Sequence, residues 1–419
     1  MELPLYRGPD DRQRAGAHVV LPPTRMAELT PATKPALALP AGLWRVMFGT
    51  GLVVLSYSLL NPVLAVRLQT AGVSATAIGG FAMLTFMSVA LLVPVVPQVF
   101  ARIGVGRAYR LGLLMEIIAC AGYLLTDDYA LWCGLALVSG VGAACAWNAT
   151  EALIAHNVPV SHRGRLTGLY QTVLGCAMAL GPMLPSVLGL GPRQANAIAA
   201  GGLALGLGLS LAPSVLKLKA AHEGALHMGL RAAWRHRPML VWAALVGGVF
   251  EVGLNSVTTA YGSQLGMNLA TATSIAGALG MGSFLLQYPT GWLADHVPTR
   301  WLFTGAATIL LLASLAFGQA HQWPQLIWLC AAAWGAVGGA LYTLTMIRVA
   351  HDFADTSAVA GTSAMIAGYT AGGALGPLVS GAVIDHFGAM GQSWWLAALA
   401  STLIAMQWWR RAQALGAST

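Results

Sequence analysis

The sequence predicts an all-α membrane protein with twelve transmembrane helices in two pseudo-symmetric six-helix bundles, and three observations lead to this prediction. Of the 419 residues, 57% are apolar and only 9% are charged, whereas a soluble domain has roughly a quarter charged residues. From Trp44 onward, apolar runs of about 20 residues recur, the length that a helix needs to cross the hydrocarbon core of a bilayer. The two halves of the chain also repeat each other at an offset of 194 to 195 residues.

The same composition excludes several other classes of protein. So few charged residues argue against a single large soluble domain, a disordered chain and a secreted disulfide scaffold. The five cysteines lie inside apolar runs and form no CxxC pair, so we expect buried thiols, no metal site and no cofactor. We also expect no enzyme activity, because the sequence has no nucleophile–base pair, phosphate-binding loop or nucleotide fingerprint.

Residues 1–40 precede the first span and differ in composition from the rest of the chain. They contain seven prolines, four carboxylates and five Lys or Arg residues, with no long apolar stretch. A signal peptide would need an apolar region after a basic start. We therefore predict a disordered cytoplasmic tail, and the alternative is a folded segment that binds a partner.

The twelve spans fall into two sets of six. In the N-terminal bundle, residues 41–216, the predicted spans lie near 44–68, 75–100, 107–126, 129–157, 165–190 and 194–216. In the C-terminal bundle, residues 238–411, they lie near 238–263, 269–293, 300–319, 323–350, 358–384 and 392–410. Proline and glycine should break the second and the fifth span.

The segments outside the bundles are short. Residues 217–237 form a cytoplasmic linker, in which Ala225–Arg235 mixes apolar residues with His and Arg. This mixture suits a short helix on the membrane surface. Residues 412–419 are predicted to be a cytoplasmic tail.

The basic residues determine the predicted orientation. Of the 22 Lys and Arg residues, all except Arg67 and Arg193 fall on one side of the predicted spans. The positive-inside rule places that side in the cytoplasm, so both termini are expected there. The net charge of +8 follows from this bias. We expect the lipid bilayer and no nucleic acid as a partner, because no basic patch carries interleaved aromatic residues.

The internal repeat brings particular residues into register. An offset of 195 carries Gly181–Pro182 onto Gly376–Pro377, and an offset of 194 carries Asn61 onto Asn255. Two related six-helix halves are the architecture of many secondary transporters, which bind substrate near the midplane between the halves. Proline removes a backbone donor and glycine permits close packing, so both Gly–Pro pairs are predicted helix bends.

The loops between spans carry a family signature. The loop after span eight, Gly291–Trp–Leu–Ala–Asp295–His–Val–Pro–Thr–Arg300, is similar to the GxLaDrxGr signature of the major facilitator superfamily. The equivalent loop after span two keeps Arg102 and Gly104 but has lost the glycine and the aspartate. The chain resembles this family over nearly its whole length after residue 41. The resemblance implies a multi-pass transporter of the bacterial inner membrane that moves a small organic solute by alternating access, in a poorly characterised branch; we expect a monomer.

Five charged residues are predicted to form a conformational gate between the halves. Because a carboxylate can cap a neighbouring helix N-terminus, Asp295 is expected to cap span eleven, with Arg300 and Arg102 supplying nearby cations. The alternative is that these are only polar residues of tight turns. Glu151 and Arg348 lie at matching depths in spans four and ten and are predicted to pair, unless both side chains extend to the interface instead.

Three carboxylates lie well inside predicted spans, namely Glu116, Glu151 and Glu251. A charge near the bilayer centre costs several kcal/mol, so such a side chain should face the bundle interior, be protonated or be paired. Glu251 lies about halfway along span seven, and we predict that it, and secondarily Glu116, exchanges protons during transport. The alternatives for Glu251 are a permanent hydrogen bond between helices and direct contact with the substrate.

The predicted substrate site surrounds the carboxylate in span seven. Asn255 lies one helical turn further along the same face, and Tyr57 and Asn61 occupy the corresponding positions in span one. Trp147 and Tyr342, which the offset of 195 relates to each other, are predicted to supply an aromatic wall. The predicted ligands are a small molecule and protons.

These features together predict a secondary transporter that couples proton flow to the efflux of a drug, a siderophore or a metabolite. Efflux is favoured because the Gly–Pro elements resemble those of exchangers and because a sparsely charged cavity suits an amphipathic solute. Import of a small metabolite or vitamin is the first alternative. A membrane sensor built on a transporter scaffold, without transport activity, is the second.

Overall fold

The computed structural model describes residues 40–92, 95–158, 160–218, 230–352 and 358–416. Within these ranges all regular elements are helices. The helices of residues 41–216, here called the N-half, are α1 (Ala41–Thr70), α2 (Ala75–Leu92), α3 (Val96–Ile103), α4 (Val105–Leu125), α5 (Tyr129–Asn157), α6 (Val160–Leu180), α7 (Leu184–Leu188), α8 (Pro192–Ser210) and α9 (Pro213–Leu216).

The later helices begin at Leu230, and residues 238–416 are here called the C-half. They are α10 (Leu230–His236), α11 (Pro238–Gly248), α12 (Asn255–Gln264), α13 (Leu269–His296), α14 (Thr299–Phe317), α15 (Leu326–Asp352) and α16 (Ala358–Gly416). Two irregular turns join helices: a 3₁₀ turn over Gly181–Met183 between α6 and α7, and a π-helical turn over Val249–Gly253 between α11 and α12.

The helices confirm the predicted all-α membrane protein. Among the described residues, eight helices are long and apolar enough to cross a membrane, and the bent pair Pro238–Gly253 and Asn255–Gln264 makes a ninth. The other predicted spans correspond to α8 and to the two parts of α16 on either side of Gly388. At Gly388 a φ of 64° and a ψ of −162° interrupt the helical backbone, which only glycine adopts easily.

The segments outside the bundles lie largely beyond the described residues. This applies to the N-terminal tail up to residue 39, to residues 219–229 of the linker and to residues 417–419. Within the predicted linker, α10 covers Leu230–His236. The last helix continues to Gly416, into the predicted C-terminal tail, because Ala, Gln, Leu and Arg there all favour a helix.

The two Gly–Pro pairs differ in their local structure. At the first pair, α6 ends and the 3₁₀ turn Gly181–Met183 begins, because Pro182 cannot donate a backbone hydrogen bond. A Cβ on Gly181 would lie 2.1 Å from the Ser58 hydroxyl of α1, so only glycine fits this contact. At Gly376–Pro377, in contrast, α16 continues through the proline.

The buried apolar side chains form two clusters, one in each half of the chain. The first cluster consists of residues from Leu43 to Val215 together with Ala260, and the second of residues from Ala233 to Leu403 together with Ala75. Ala75 and Ala260 therefore pack against the opposite half. Each half has its own core, and small residues contribute to the apolar contacts between the halves.

The helix ends meet at two opposite ends of the molecule. Arg67, in the last turn of α1, forms an ion pair with Asp127, which lies between α4 and α5. Asp385 of α16 contacts the start of α2 at the same end. We call this the Asp385 end. Arg45 near the start of α1 bonds to Ser214 of α9 at the opposite end, here called the Arg300 end.

Two hydrogen bonds join α1 of the N-half to α12 of the C-half. Ser256 donates to Asn61, and Gln264 donates to Gln69 at 3.2 Å; both pairs are 195 residues apart. The two halves are therefore in direct polar contact along α1 and α12.

Candidate functional site

Glu251 lies at a meeting point of four elements of the C-half. It belongs to the π-helical turn, and its side chain is buried. Ser283 of α13 donates a hydrogen bond to Oε1 at 2.5 Å, and Tyr369 of α16 donates to Oε2 at 2.9 Å. On the fourth side, a Cβ on Gly339 of α15 would lie only 2.9 Å from Oε1. Both carboxylate oxygens thus have a hydrogen-bond donor, and the glycine makes room for them.

Glu251 belongs to a π-helical turn at which the chain bends. Such turns are rare and are frequent at functional sites. Here the turn over Val249–Gly253 separates two helical segments that bend by 41° relative to each other. Glu251, Val252 and Asn255 all line one internal cavity next to this bend.

This cavity, here called the Glu251 cavity, lies between the two halves. It has a volume of about 30 Å³, room for one or two water molecules. Among the described residues that line it, Glu251 alone carries an acidic or basic side chain. The lining residues are Tyr57, Ser58, Asn61, Gly175, Met178, Glu251, Val252, Asn255, Leu279, Gly280, Ser283, Phe284 and Gln287.

The N-half contributes a hydrogen-bonded pair to this cavity. Asn61 donates to the Tyr57 hydroxyl at 2.7 Å and accepts a hydrogen bond from Ser256 of α12. Asn255 also lines the cavity, and its Oδ1 is buried without a hydrogen-bond partner among the described residues. Three of the five predicted substrate-binding residues, namely Tyr57, Asn61 and Asn255, therefore surround one cavity with Glu251.

The other two predicted substrate-binding residues lie outside this cavity. Tyr342 of α15 packs against the ring of Tyr369, with 4.6 Å between the centroids. Trp147 of α5 is partly exposed and donates to Glu151 Oε1 at 2.7 Å. Tyr342 is within electrostatic range of both Glu151 and Glu251. It therefore lies near both the exposed carboxylate and the buried one.

Glu116 of α4 lies in a second small cavity, inside the N-half. It is only 7% exposed, and Ser139 of α5 donates to its Oε2 at 2.8 Å. Tyr57 and Asn61 line this cavity as well. The second predicted proton site is therefore adjacent to the first, which the sequence alone did not indicate.

The sequence of the chain is similar to those of known proteins. Residues 46–286 and 263–416 match the sequence profile of the Major Facilitator Superfamily. The chain belongs to this family. A curated relative, the "Uncharacterized MFS-type transporter YcaD" of Shigella flexneri serotype 5b (strain 8401), is 25% identical over 356 residues, which cover 85% of this chain and 90% of the relative. The resemblance stated from the loop motifs is confirmed.

Solved structures of major facilitator proteins share the fold at low identity. A D-xylose–proton symporter has a TM-score of 0.70 at 11% identity, covering 88% of this chain and 98% of that chain. The nucleoside transporter NupG has a TM-score of 0.69 at 13% identity, covering 89% and 98%. A bacterial homologue of the human lysosomal transporter Spinster, inward-facing and unoccupied, has a TM-score of 0.67 at 14% identity, covering 87% and 94%.

The major facilitator signature loop lies at the Arg300 end. Asp295 is exposed and makes no hydrogen bond or ion pair within the described part of the chain. Residues 353–357, directly before α16, lie outside the described residues, so the predicted cap on span eleven is not tested. Arg300 lies over the ring of Trp301, 5.6 Å from its centroid, and Arg102 is exposed in the last turn of α3.

Glu151 accepts a hydrogen bond from Trp147, and its predicted pairing with Arg348 stays a prediction. Near the same end, large side chains of α13 are exposed, including Tyr288 at 84% and Trp292 at 54%. Asp295, Arg300 and Arg102 form no ion pair with one another among the described contacts.

The opposite end is closed by Asp385, which the sequence analysis did not identify. Its Oδ1 accepts from the backbone N–H of Ala75 at 2.9 Å, and its Oδ2 accepts from the N–H and hydroxyl of Thr76 at 2.7 and 2.6 Å. Asp385 thus caps α2 from the opposite half. Partial burial opposes ionisation, but the hydrogen bonds from Thr76 and Ala75 outweigh it and lower the pKa of Asp385.

A signal for Asp385 is nevertheless present in the sequence. The segment Gly381–Ala–Val–Ile–Asp385 has the same Gly-xxx-Asp spacing as Gly291–Trp–Leu–Ala–Asp295 in the signature loop. A Cβ on Gly381 would lie 2.1 Å from the carbonyl oxygen of Ala75. The glycine therefore lets α16 approach α2 closely enough for the aspartate to reach its N-terminus.

Proposed function

We propose that this protein is a proton-coupled secondary transporter of a small organic solute, with Glu251 as its principal proton site. The observation that carries the proposal is the position of Glu251. It is a buried carboxylate with no ion-pair partner among the described residues, in a cavity lined by both halves. Because a charge in the bilayer core is costly, the relative stability of the transport conformations depends on whether Glu251 carries a proton.

The polar residues around Glu251 are the proposed substrate contacts. Tyr57, Asn61 and Asn255 supply hydroxyl and amide groups inside the cavity. Tyr342 and Trp147 lie along a path from Glu251 towards the exposed Glu151 and provide aromatic surface there. The Glu251 cavity, with a volume of about 30 Å³, is small enough for a closed site. We expect it to widen around the substrate when the halves separate.

The charge distribution supports an orientation with the Arg300 end in the cytoplasm of a bacterial inner membrane. Among the described helices, Lys and Arg cluster at this end, and Arg67 and Arg193 lie at the other. The conformation then faces inward, closed outside by Asp385. In the outward-facing conformation, we propose that Asp295, Arg300, Arg102, Glu151 and Arg348 form the cytoplasmic gate, and that the two Gly–Pro pairs take up the helix bending.

Efflux of an amphipathic drug, siderophore or metabolite is the proposed direction. Apolar side chains such as Met178, Leu279 and Phe284 form much of the cavity wall, which suits a solute with an apolar body. Import of a small metabolite or vitamin is the alternative. The structural likeness to a D-xylose–proton symporter supports coupling to protons and leaves the direction to experiment.

The experiment that tests this function uses purified protein in proteoliposomes. A thermal-shift screen of drugs, siderophores and metabolites first selects a solute, whose accumulation is then measured with an imposed proton gradient. Glu251→Gln should abolish gradient-driven accumulation and leave solute counterflow intact, because the neutral amide imitates the protonated acid. Unaltered pH dependence of transport in this variant would remove Glu251 from the coupling role.

Two comparisons complete the experiment. Asp127→Asn changes an exposed carboxylate by the same chemistry and should retain wild-type coupling. Inside-out and right-side-out membrane vesicles separate efflux from import, because efflux predicts accumulation only in inside-out vesicles with an acidic interior. Accumulation only in right-side-out vesicles would establish the importer.

A further inference from the structure

The cavity around Glu116 contains an unused hydrogen-bond acceptor. Glu116 Oε2 accepts from Ser139, whereas Oε1 is buried with no partner among the described residues. A buried carboxylate oxygen without a donor is costly. The other titratable side chains in the lining are Tyr57, Cys120 and Tyr123, and no Lys, Arg or His is among the lining residues. Glu116 therefore has no charge partner there.

The same cavity contains an unused donor. Ser256 donates to Asn61, and Asn61 donates to the Tyr57 hydroxyl oxygen at 2.7 Å. These bonds use Tyr57 only as an acceptor, and no hydrogen bond among the described residues uses its own proton. Because a hydroxyl is both donor and acceptor, Tyr57 has a free O–H. Tyr57 lies within electrostatic range of Glu116.

Tyr57 and Asn61 are the residues that the two cavities have in common. The Glu251 cavity lies on one side of this pair and the Glu116 cavity on the other. Each cavity has a volume of about 30 Å³, enough to hold a water molecule between polar groups. A free donor and a free acceptor thus face one small cavity that can hold a bridging water.

We propose that the Tyr57 hydroxyl is a proton relay that joins Glu251 to Glu116, so that the two carboxylates act as one proton-binding unit across both halves. This inference rests on the proposed proton coupling at Glu251. In the transfer, a proton leaves the Glu251 carboxyl for Tyr57 Oη through water, while the Tyr57 proton passes through water to Glu116 Oε1. Tyr57 ends unchanged, Glu251 becomes a carboxylate and Glu116 becomes an acid.

Asn61 is a positioning residue for this relay. By donating to Tyr57 Oη, it leaves the hydroxyl proton directed away from the amide and towards the cavities. Asn61 is itself held by Ser256, which belongs to the other half. The relay is therefore complete only when α1 and α12 are in contact, and the proton path depends on the conformation of the transporter.

The test measures charge movement in the full chain without any solute. Liposomes containing the purified protein are adsorbed on a solid-supported membrane, and a step to acidic pH produces a transient displaced charge. The variants are Glu251→Gln, Glu116→Gln, Tyr57→Phe and the double variant Tyr57→Phe/Glu116→Gln. Tyr170→Phe is the matched control, because the buried Tyr170 hydroxyl has no hydrogen-bond partner among the described residues.

The relay predicts a non-additive result. Tyr57→Phe and Glu116→Gln should each lose about half of the displaced charge, the double variant should lose no more than either single variant, and Tyr170→Phe should match the wild type. Asn61→Ala should slow the transient without abolishing it. Wild-type charge in Tyr57→Phe, or a larger loss in the double variant, overturns the relay. Full charge in Glu251→Gln would instead contradict the proposed function.

Discussion

Asp385 and Asp295 occupy equivalent places in two similar sequence segments but have different environments. Asp385 accepts three hydrogen bonds from the start of α2, whereas Asp295 accepts none among the described residues. The two residues lie at opposite ends of the molecule. A transporter that opens its two ends alternately needs a breakable contact at each of them, so we interpret the engaged aspartate as the contact that holds this conformation.

Replacement of Asp385 by Ala should weaken closure at the Asp385 end. Loss of a capping carboxylate costs about 0.5–1 kcal/mol at an exposed site, which corresponds to an increase of about two- to fivefold in the open population. The open population is measured from the distance distribution between spin labels at Ala71 and Leu265, in a protein without its native cysteines. Asp127→Ala removes the same charge at the same end, but within one half, and should leave the distances unchanged; an equal effect of both variants would refute the latch.

The closure should also depend on pH in a defined direction. Hydrogen bonds lower the pKa of Asp385, so the ionised side chain stabilises the closed state above the ordinary pKa of about 4. This contribution is lost as the pH falls through the lowered pKa. We expect the label distances to lengthen only below about pH 4, and the acid response to be absent from Asp385→Ala. A transition near neutral pH would show that another group controls closure.

Glu251 could be identified from the sequence as the main candidate residue, but its hydrogen-bond donors could not. Glu251 stands out because a carboxylate in a long apolar run is rare. Its donors Ser283 and Tyr369 are 32 and 118 residues away in the chain. Which faces of three helices meet depends on their rotation and packing, which composition does not encode, and neither Ser nor Tyr is unusual in such a helix.

At the scale of the elements, the packing of α15 against the π-helical turn positions Glu251. A Cβ on Gly338 would lie 2.7 Å from the backbone nitrogen of Glu251. Backbone atoms cannot move aside as the end of a flexible side chain can. The glycine is therefore required by the close approach of two helices, and the turn has no room to shift.

Gly338→Ala should consequently destabilise the protein. Overpacking against backbone costs about 1–3 kcal/mol, so we expect a lower apparent Tm in detergent. Gly305→Ala is the matched control, because a Cβ at Gly305 has nothing within 4 Å and alanine favours a helix by up to about 1 kcal/mol. An unchanged Tm in Gly338→Ala would show that the close contact between α15 and the turn does not exist.

For the whole molecule, the sequence predicted the spans and the repeat well, since both depend on long apolar runs and on residues in register. The structure brings the two predicted halves together through Ser256–Asn61 and Gln264–Gln69. The sequence did not indicate which of the two ends would be closed. A repeat is equally compatible with either conformation, and the small difference in free energy between them arises from a few contacts such as that of Asp385.

The closed end depends on how near α2 and α16 approach each other, and Gly79 is one of the glycines that permit this approach. A Cβ on Gly79 would lie 2.1 Å from the carbonyl oxygen of Pro377, whereas a Cβ on the adjacent Gly80 would have its nearest neighbour at 3.8 Å. Gly79→Ala should therefore exclude this conformation and shift the population towards opening at the Asp385 end, without unfolding either half, because the halves have separate cores. Gly80→Ala should retain the wild-type population. The same spin-label distances measure both variants, and closure that survives in Gly79→Ala would mean that the approach of α2 to α16 does not control access to the Glu251 cavity.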